Sequence, residues 1–183
     1  MKKILLISLL VSVLAACSTT PVPDETAGAP VESRSSGGSS SEVKPVVAGG
    51  LDASGLPREL TDPKSQLAQR SIFFDVDKYE VKGEYQSLVA AHAKFLVANR
   101  GYKVLIQGNT DETGSREYNL SLGQKRSDAV KRALVLLGAQ EDQVESVSLG
   151  EEKPRNPGRD EAAFAENRRA DILYRAPDGR GEF

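Results

Sequence analysis

An arginine among aliphatic residues is the clearest sign of chemistry in this chain of 183 residues. Arg126 is four residues from both Leu122 and Val130, so in a helix it lies on the same apolar stripe as they do. A buried guanidinium is costly unless hydrogen bonds or an opposite charge compensate it. We therefore predict that Arg126 points towards the core side of its helix and meets a polar partner there.

Two further polar residues can converge on Arg126. Asn119 precedes it by two turns on the same helix face, and Asp111 lies in the polar turn that leads into this helix. A carboxylate accepts hydrogen bonds from an ammonium group, and the planar fork of an arginine suits a carboxylate. The three side chains together fit the head group of an amino acid. The spacing leaves one alternative open, in which Asp111 and Arg126 bridge each other and only fix the loop.

Alternating strands and helices must position these side chains. Strands are predicted at 71–76, 102–107, 144–149 and 171–174, and helices at 84–99, 115–137 and 161–167. Ser115 is a suitable N-cap for the second helix, and Gly101 and Gly138 follow the predicted helix ends. The pattern predicts an α/β fold of the α+β sandwich type, with helices packed on a small mixed sheet.

The N-terminus is typical of an export signal. Two lysines precede an apolar run at 4–14, which is shorter than the roughly 20 residues that span a membrane. Residues 1–16 are therefore predicted to be a signal peptide. Cys17, the only cysteine, follows Leu14-Ala15-Ala16, and this run resembles the lipobox of bacterial lipoproteins. We predict lipidation of Cys17, since a lipid removes the liability of a lone thiol in an oxidising compartment.

Composition separates the rest of the chain into three parts. Residues 17–69 are rich in Pro, Ser and Gly, and we predict that they form the lipidated N-terminus and a flexible linker. The domain is predicted at 70–176, and 177–183 form a tail. The 26 acidic and 24 basic residues give a net charge of -2, which argues against a nucleic acid partner.

Several motifs resemble the OmpA-like peptidoglycan-binding domain family over about residues 71–174. They are Gly108-Asn109-Thr110-Asp111, Gly114, Tyr118-Asn119, Leu120-Ser121-Leu122-Gly123, Arg126 and Asn167-Arg168-Arg169-Ala170. The lipoprotein members are similar in particular at Phe74-Asp75-Val76-Asp77-Lys78-Tyr79 and Asp160-Glu161-Ala162-Ala163. The chain departs from the family pattern at Thr113 and Ser115-Arg116, where relatives often have Arg and Thr-Pro.

The resemblance implies a ligand, partners and a location. In the family, the ligand is the diaminopimelate of the peptidoglycan stem peptide, and the residues that match Asp111 and Arg126 hold its charged ends. The resemblance extends binding to Asp77, Asn119 and Leu122. It also implies TolB and other Tol proteins as partners, and a periplasmic domain held at the outer membrane by its lipid anchor. No cofactor or metal is expected.

Two other functions are compatible with the same residues. In an envelope hydrolase, Asp77 and Asp111 would act as paired carboxylates on the glycan. The lack of a second obvious acid on a rigid element argues against this reading. In a pure interaction protein, the pair of Asp111 and Arg126 would be structural, and only the Tol partners would matter. We expect a non-catalytic binding module.

Three other signals are assigned more ordinary roles. His92, the only histidine, lies on the apolar stripe of the first helix and is expected to be a core residue. The acidic residues after the first strand lack the spacing of a calcium-binding EF-hand loop. Of Arg168 and Arg169, one is expected to reach the site, while the other is solvated or paired with Asp171.

Overall fold

The computed structural model describes residues 50–183, in which four strands and three α-helices alternate. They are β1 (Ser71–Phe73), α1 (Gln86–Ala98), β2 (Lys103–Asn109), α2 (Arg116–Leu136), β3 (Val144–Gly150), α3 (Glu161–Asn167) and β4 (Arg169–Arg175). The signal peptide, Cys17 and the linker up to residue 49 lie outside the described residues. Among residues 50–183, no helix has both the length and the apolar character needed to cross a membrane.

The four strands form one mixed sheet in the order β1-β4-β2-β3. Both β1 and β2 run antiparallel to β4, whereas β3 runs parallel to β2. A parallel pair needs a crossover connection, and α2 supplies it between β2 and β3. The end of β2 therefore leads directly to the start of α2. This arrangement confirms the predicted α/β fold with a small mixed sheet.

The core lies between the helices and one face of the sheet. Alternate strand residues are fully buried, as expected for a sheet covered on one side. They include Ile72, Val104, Ile106, Ile172 and Tyr174, and they meet Leu88, Val89 and Leu96 of α1 and Val130 and Leu134 of α2. The apolar stripes predicted for both helices thus face the sheet, which places Arg126 of α2 inside the molecule.

The start of α2 lies unusually close to the sheet. A Cβ atom added to Gly108 of β2 would come within 1.8 Å of the carbonyl oxygen of Gly123 in α2. A Cβ atom on Gly123 would in turn come within 2.3 Å of Ser148 Oγ in β3. The absence of side chains at these two positions lets helix and strand backbones touch. This contact sets the depth at which Arg126, one turn further on, enters the core.

His92 is a core residue, as predicted. It is fully buried, and its ring nitrogens lie 2.8 Å from the Tyr174 hydroxyl and 2.9 Å from the Gln69 carbonyl oxygen. Because a carbonyl only accepts, Nε2 carries the proton and Nδ1 accepts from Tyr174. Burial lowers the pKa of His92 to about 4. The neutral ring therefore links α1 to β4 and to the segment before β1.

The folded domain extends beyond the predicted limits of 70 and 176, so both boundaries were wrong. Leu56 and Leu60 lie in the segment predicted to be linker, yet they are 0% and 1% exposed and belong to the core. In the segment predicted to be tail, Glu182 forms an ion pair of 2.5 Å with Arg70. Single leucines among prolines and polar residues give no periodic pattern, so only the three-dimensional packing reveals their role.

Candidate ligand-binding site

A small cavity of about 70 Å³ lies beside α2, between the loop after β1 and the loop after β2. Its walls are Val76, Asp77, Thr110, Asp111, Thr113, Asn119, Leu122, Arg126 and Arg168. The lining includes all five residues that the sequence nominated as ligand contacts. The fold therefore brings together side chains that are far apart in the chain, from Val76 to Arg168.

Arg126 is fully buried and is held by backbone carbonyls. Its guanidinium donates to the carbonyl oxygens of Lys78 at 2.8 Å, Asn109 at 2.9 Å and Asp75 at 3.1 Å. It also lies over the Phe74 ring, 5.2 Å from the centroid. These contacts join the loop after β1 to the end of β2. Arg126 thus shapes two walls of the cavity, a structural role that the sequence did not predict.

The positive charge of Arg126 is not neutralised by a direct partner. Within residues 50–183 it forms no salt bridge, so the alternative in which it bridges Asp111 was wrong. Burial lowers the pKa of Arg126 to about 10, while the charge of Asp111 acts in the opposite direction. The guanidinium remains charged at neutral pH. A buried cation with carbonyl partners alone favours the approach of an anion.

Asp111 pairs with Arg168 instead. One carboxylate oxygen lies 3.1 Å from Arg168 Nη1, and the other accepts from the backbone N–H of Thr113 at 3.0 Å. Each oxygen of a carboxylate can accept a second hydrogen bond. The Asp111 side chain is 11% exposed. It is therefore fixed in place and still able to accept from an ammonium group.

Arg168, and not Arg169, is the arginine of the NRRA motif that reaches the site. Besides Asp111, Arg168 contacts Glu161 Oε1 at 2.6 Å and the Phe74 carbonyl oxygen at 3.3 Å. Arg169 pairs with Asp171 at 2.9 Å. Arg168 is the C-cap residue of α3, and Arg169 is the first residue of β4, so the two side chains leave the backbone in different settings. The sequence predicted an extended pair with opposite directions and could not tell which arginine would reach the site.

Asp77 lies at the open side of the cavity in a strained turn. Its φ angle is 57°, the only positive φ of a non-glycine residue in the described part of the chain. Its carboxylate accepts from the Tyr118 hydroxyl at 3.0 Å. β1 ends at Phe73, before this turn, so the strand predicted to reach residue 76 is shorter than expected. Strain of this kind is concentrated at functional sites, where surrounding contacts hold it.

Asn119 and Leu122 complete the wall that α2 contributes. Asn119 is 1% exposed, and its amide donates a short hydrogen bond to the carboxylate of Glu151. Leu122 is also buried and supplies an apolar surface. The helix begins as predicted, because Ser115 Oγ accepts from the backbone N–H of Tyr118. Glu151 was not identified from the sequence, since it lies in a loop with no pattern.

The charges around the cavity balance. Two carboxylates, Asp77 and Asp111, face two guanidinium groups, Arg126 and Arg168. A cavity with paired opposite charges suits a zwitterion, which brings one charge of each sign. Among residues 50–183, no group of three potential metal ligands is present. The site is thus equipped to hold the ammonium and carboxylate groups of one amino acid.

Comparison with known proteins identifies the family. The sequence profile of the OmpA family matches residues 73–168. A curated relative, the peptidoglycan-associated lipoprotein of Pasteurella multocida, is 41% identical over 172 residues, which cover 94% of this chain and 97% of the relative. The chain belongs to the OmpA family, in the group of the peptidoglycan-associated lipoproteins. The Haemophilus influenzae member of the group is 48% identical over 60% of this chain and 73% of its own.

Solved structures agree with this membership. The crystal structure of the peptidoglycan-associated lipoprotein from Burkholderia pseudomallei has a TM-score of 0.63 and 56% identity, and the match covers 64% of this chain and 99% of that chain. The C-terminal domain of Helicobacter pylori MotB has a TM-score of 0.53 at 19% identity, over 56% of this chain and 81% of that chain. At that identity, the likeness to MotB shows a shared fold alone.

Proposed function

We propose that this chain is an outer-membrane lipoprotein that binds peptidoglycan non-covalently through the diaminopimelate of the stem peptide. The names of the relatives support the polymer as ligand. The observation that carries the proposal is the cavity itself, where a fixed carboxylate, Asp111, shares one small space with a buried cation, Arg126, that has no acidic partner among residues 50–183. A free amino acid end of diaminopimelate offers the complementary pair of charges.

The two charged groups have different roles in binding. The ligand's ammonium group donates to the free lone pairs of Asp111. Its carboxylate accepts from Arg126, which uses three of its five N–H groups on backbone carbonyls and keeps two. Each charge-assisted hydrogen bond contributes about 1.5 to 3 kcal/mol. Binding is therefore selective and reversible, and no covalent bond of the polymer changes.

The wider role rests on the N-terminal signals and on the family. Cys17 is proposed to carry the lipid that holds the chain at the outer membrane, so that peptidoglycan binding links this membrane to the cell wall. We also propose that the chain works in the Tol-Pal system, in envelope integrity and cell division, with TolB and other Tol proteins as partners. Lipid analysis of the mature chain and of a Cys17→Ser variant tests the anchor.

The test of ligand binding compares two carboxylates. Asp111→Asn keeps the size of the side chain and removes the charge that an ammonium group needs, so we expect a loss of at least about tenfold in affinity for purified peptidoglycan in sedimentation assays. Asp75→Asn is the matched control, because Asp75 is exposed, pairs with Lys82 at 2.7 Å and does not line the cavity. Equal binding by both variants would refute the proposal.

The rival functions give different results in the same assay. A hydrolase acting through Asp77 and Asp111 would release soluble fragments from the polymer, whereas a binder leaves the polymer intact. The ion pair of Asp111 with Arg168 fits an acceptor better than a proton donor. A pure interaction protein would bind TolB but would not sediment with peptidoglycan. The curated relatives are named for their association with peptidoglycan and not for a reaction on it, which favours the binder.

A further inference from the structure

An exposed apolar patch lies where α1 and α2 end, at the opposite end of these helices from the ligand site. Leu136 and Leu137 close α2 and are 86% and 51% exposed, and Val97 near the end of α1 is 37% exposed. The two helix ends are in contact, because a Cβ atom added to Gly138 would lie 3.3 Å from Val97 Cγ2. Clustered apolar residues on the surface of a folded domain indicate a place where a protein or a membrane binds.

Two arginines flank the apolar patch. Arg100 donates to the carbonyl oxygen of Gly138 at 3.3 Å. Arg132 lies one turn before Leu136, so the two side chains are neighbours on the surface of α2. Both arginines are exposed, and within residues 50–183 neither forms a salt bridge. The patch therefore combines exposed leucines with two cations that no acidic side chain neutralises in this part of the chain.

The charge around the patch favours an anionic partner. Glu141 and Asp142 are the acidic residues that follow α2. Glu141 pairs with Lys131 at 2.8 Å, which leaves Asp142 against the two arginines. A phospholipid surface has apolar chains beneath anionic phosphate groups, so it complements leucines flanked by arginines. A second copy of the chain fits less well, because a two-fold dimer would bring the same arginines together.

The patch and the ligand site can be occupied at the same time. Asn119 lines the ligand cavity near the start of α2, and Leu136 is the last residue of this helix. At a rise of 1.5 Å for each residue, the two positions are about 25 Å apart along the helix axis. A membrane at one end of α2 therefore leaves the cavity at the other end open to the cell wall.

The chain also enters the domain at the end that carries the patch. The carbonyl oxygen of Gly50 accepts from the backbone N–H of Arg58 at 3.2 Å, and the neighbouring Glu59 lines a groove with Asn99, the residue that ends α1. Between Cys17 and Gly50 the extended chain reaches at most about 115 Å. A lipid on Cys17 would therefore hold the patch at a high local concentration near the membrane, where a weak affinity is sufficient.

We propose that this patch docks on the anionic phospholipid surface that carries the lipid anchor, while the opposite end of α2 faces the peptidoglycan. The inference rests on the proposed function, because two leucines and two arginines bind a membrane only weakly without the anchor. Docking would make the folded domain a spacer of fixed orientation between membrane and wall. Its ligand cavity would then point away from the lipid.

The chain has no tryptophan, so a single introduced tryptophan reports on docking by its fluorescence. The experiment uses the lipidated full chain in vesicles of phosphatidylethanolamine with about one quarter phosphatidylglycerol. In Leu136→Trp, emission should move to shorter wavelength, and brominated acyl chains should quench it. Leu120→Trp is the control, since Leu120 is 52% exposed near the start of α2 and should stay in water.

Reversing the charges tests the role of the arginines. Arg100→Glu with Arg132→Glu, in the Leu136→Trp background, should lower the ratio of docked to free domains about thirtyfold or more. Arg116→Glu with Lys125→Glu makes the same change of charge at exposed positions outside the patch and should leave the ratio unchanged.

The outcomes separate docking from the proposed function. An unchanged spectrum of Leu136→Trp in vesicles, or equal quenching of both tryptophan variants, overturns the docking. A spectral change that appears without vesicles and grows with protein concentration shows self-association and also overturns it. Mass spectrometry of Cys17 and sedimentation with peptidoglycan test the proposed function separately, and wild-type peptidoglycan binding by a chain that fails to dock leaves that function in place.

Discussion

Arg126 combines a structural role with the proposed binding role. Its guanidinium holds carbonyl groups of two loops, and those loops carry Asp77 and Asp111. A planar fork with five donors can reach several acceptors at once, whereas an ammonium group is a compact point charge. The shape of the cavity and its positive charge therefore depend on one side chain, and a change of residue type affects both.

Replacing Arg126 by lysine separates charge from geometry. Arg126→Lys keeps the positive charge but cannot serve three carbonyl groups in their present positions, so we expect a loss of about 3 kcal/mol in the free energy of unfolding. Affinity for peptidoglycan should fall at least about tenfold. Urea denaturation and sedimentation measure the two effects. Arg132→Lys, on the exposed side of α2, is the control and should change neither stability nor affinity. Full peptidoglycan binding by Arg126→Lys would contradict the role assigned to the planar guanidinium group of Arg126.

His92 should make the stability of the domain depend on pH. The folded protein keeps the ring neutral down to about pH 4, whereas the unfolded chain protonates it near pH 6.5. As the pH falls, His92 is protonated in the unfolded chain before it is protonated in the folded protein, which favours unfolding. The contribution of His92 should lower the free energy of unfolding by about 2 kcal/mol from pH 7 to pH 5. Denaturation of the wild-type protein and of the His92→Gln variant at both pH values measures the contribution of His92 to this change.

The same residue gives a direct spectroscopic control. Because the chain has one histidine, its imidazole signal in an NMR spectrum is unambiguous. We expect the signal to stay unchanged between pH 7 and pH 5 in the folded protein. A titration centred near pH 6.5 would show that the ring is accessible and would contradict the buried, neutral tautomer described above.

The contact between β2 and α2 sets the position of the site. Gly108 and Gly123 let the two backbones meet. Asn109 follows Gly108 in β2, and Arg126 lies one turn after Gly123 in α2. If the helix were lifted, the bond from Arg126 to the Asn109 carbonyl oxygen would lengthen. The site therefore depends on a close approach of two elements that carry no side chain at the point of contact.

Gly108→Ala should disrupt this approach. The added methyl group would lie 1.8 Å from a backbone oxygen, which cannot move away as a flexible side chain can. We expect a loss of about 3 kcal/mol in the free energy of unfolding, together with weaker peptidoglycan binding in the fraction that folds. Gly83→Ala is the matched control, since nothing lies within 4 Å of its added methyl group. Equal stability of the two variants would contradict the close contact.

The segment before β1 closes the core of the domain. Leu56 and Leu60 pack into it, and Arg70 joins this segment to the C-terminus by donating to the Leu60 carbonyl oxygen and pairing with Glu182. Glu182 also accepts from the backbone N–H of Tyr174 in β4 at 2.8 Å. Both ends of the described chain therefore contribute to the stability of the folded unit.

A leucine comparison tests this contribution. Leu60→Ala should lower the free energy of unfolding by about 2 to 5 kcal/mol, because it leaves a cavity in a packed core. Leu51→Ala, at a position that is 49% exposed, should change it by less than about 0.5 kcal/mol. Urea denaturation of the two variants provides the measurement. A small effect at Leu60 would show that the segment does not belong to the core.

Much of the fold could be predicted because its elements repeat with regular periods. The apolar stripes of α1 and α2, the N-cap Ser115 and the strand patterns identified the four strands and the three α-helices, and α3 has the predicted bounds. Arg126 stood out because a charge on an apolar stripe breaks the period. These features are local, so neighbouring residues in the chain contain the information.

The tertiary structure alone decided the features that depend on long-range contacts. The strand order, the burial of Leu60 and the choice of Arg168 over Arg169 require knowing which segments meet. The pairing of Asp111 with Arg168, and not with Arg126, joins residues 57 positions apart. Local patterns contain the periodicity of each element but not the distances between elements, and the site is formed by those distances.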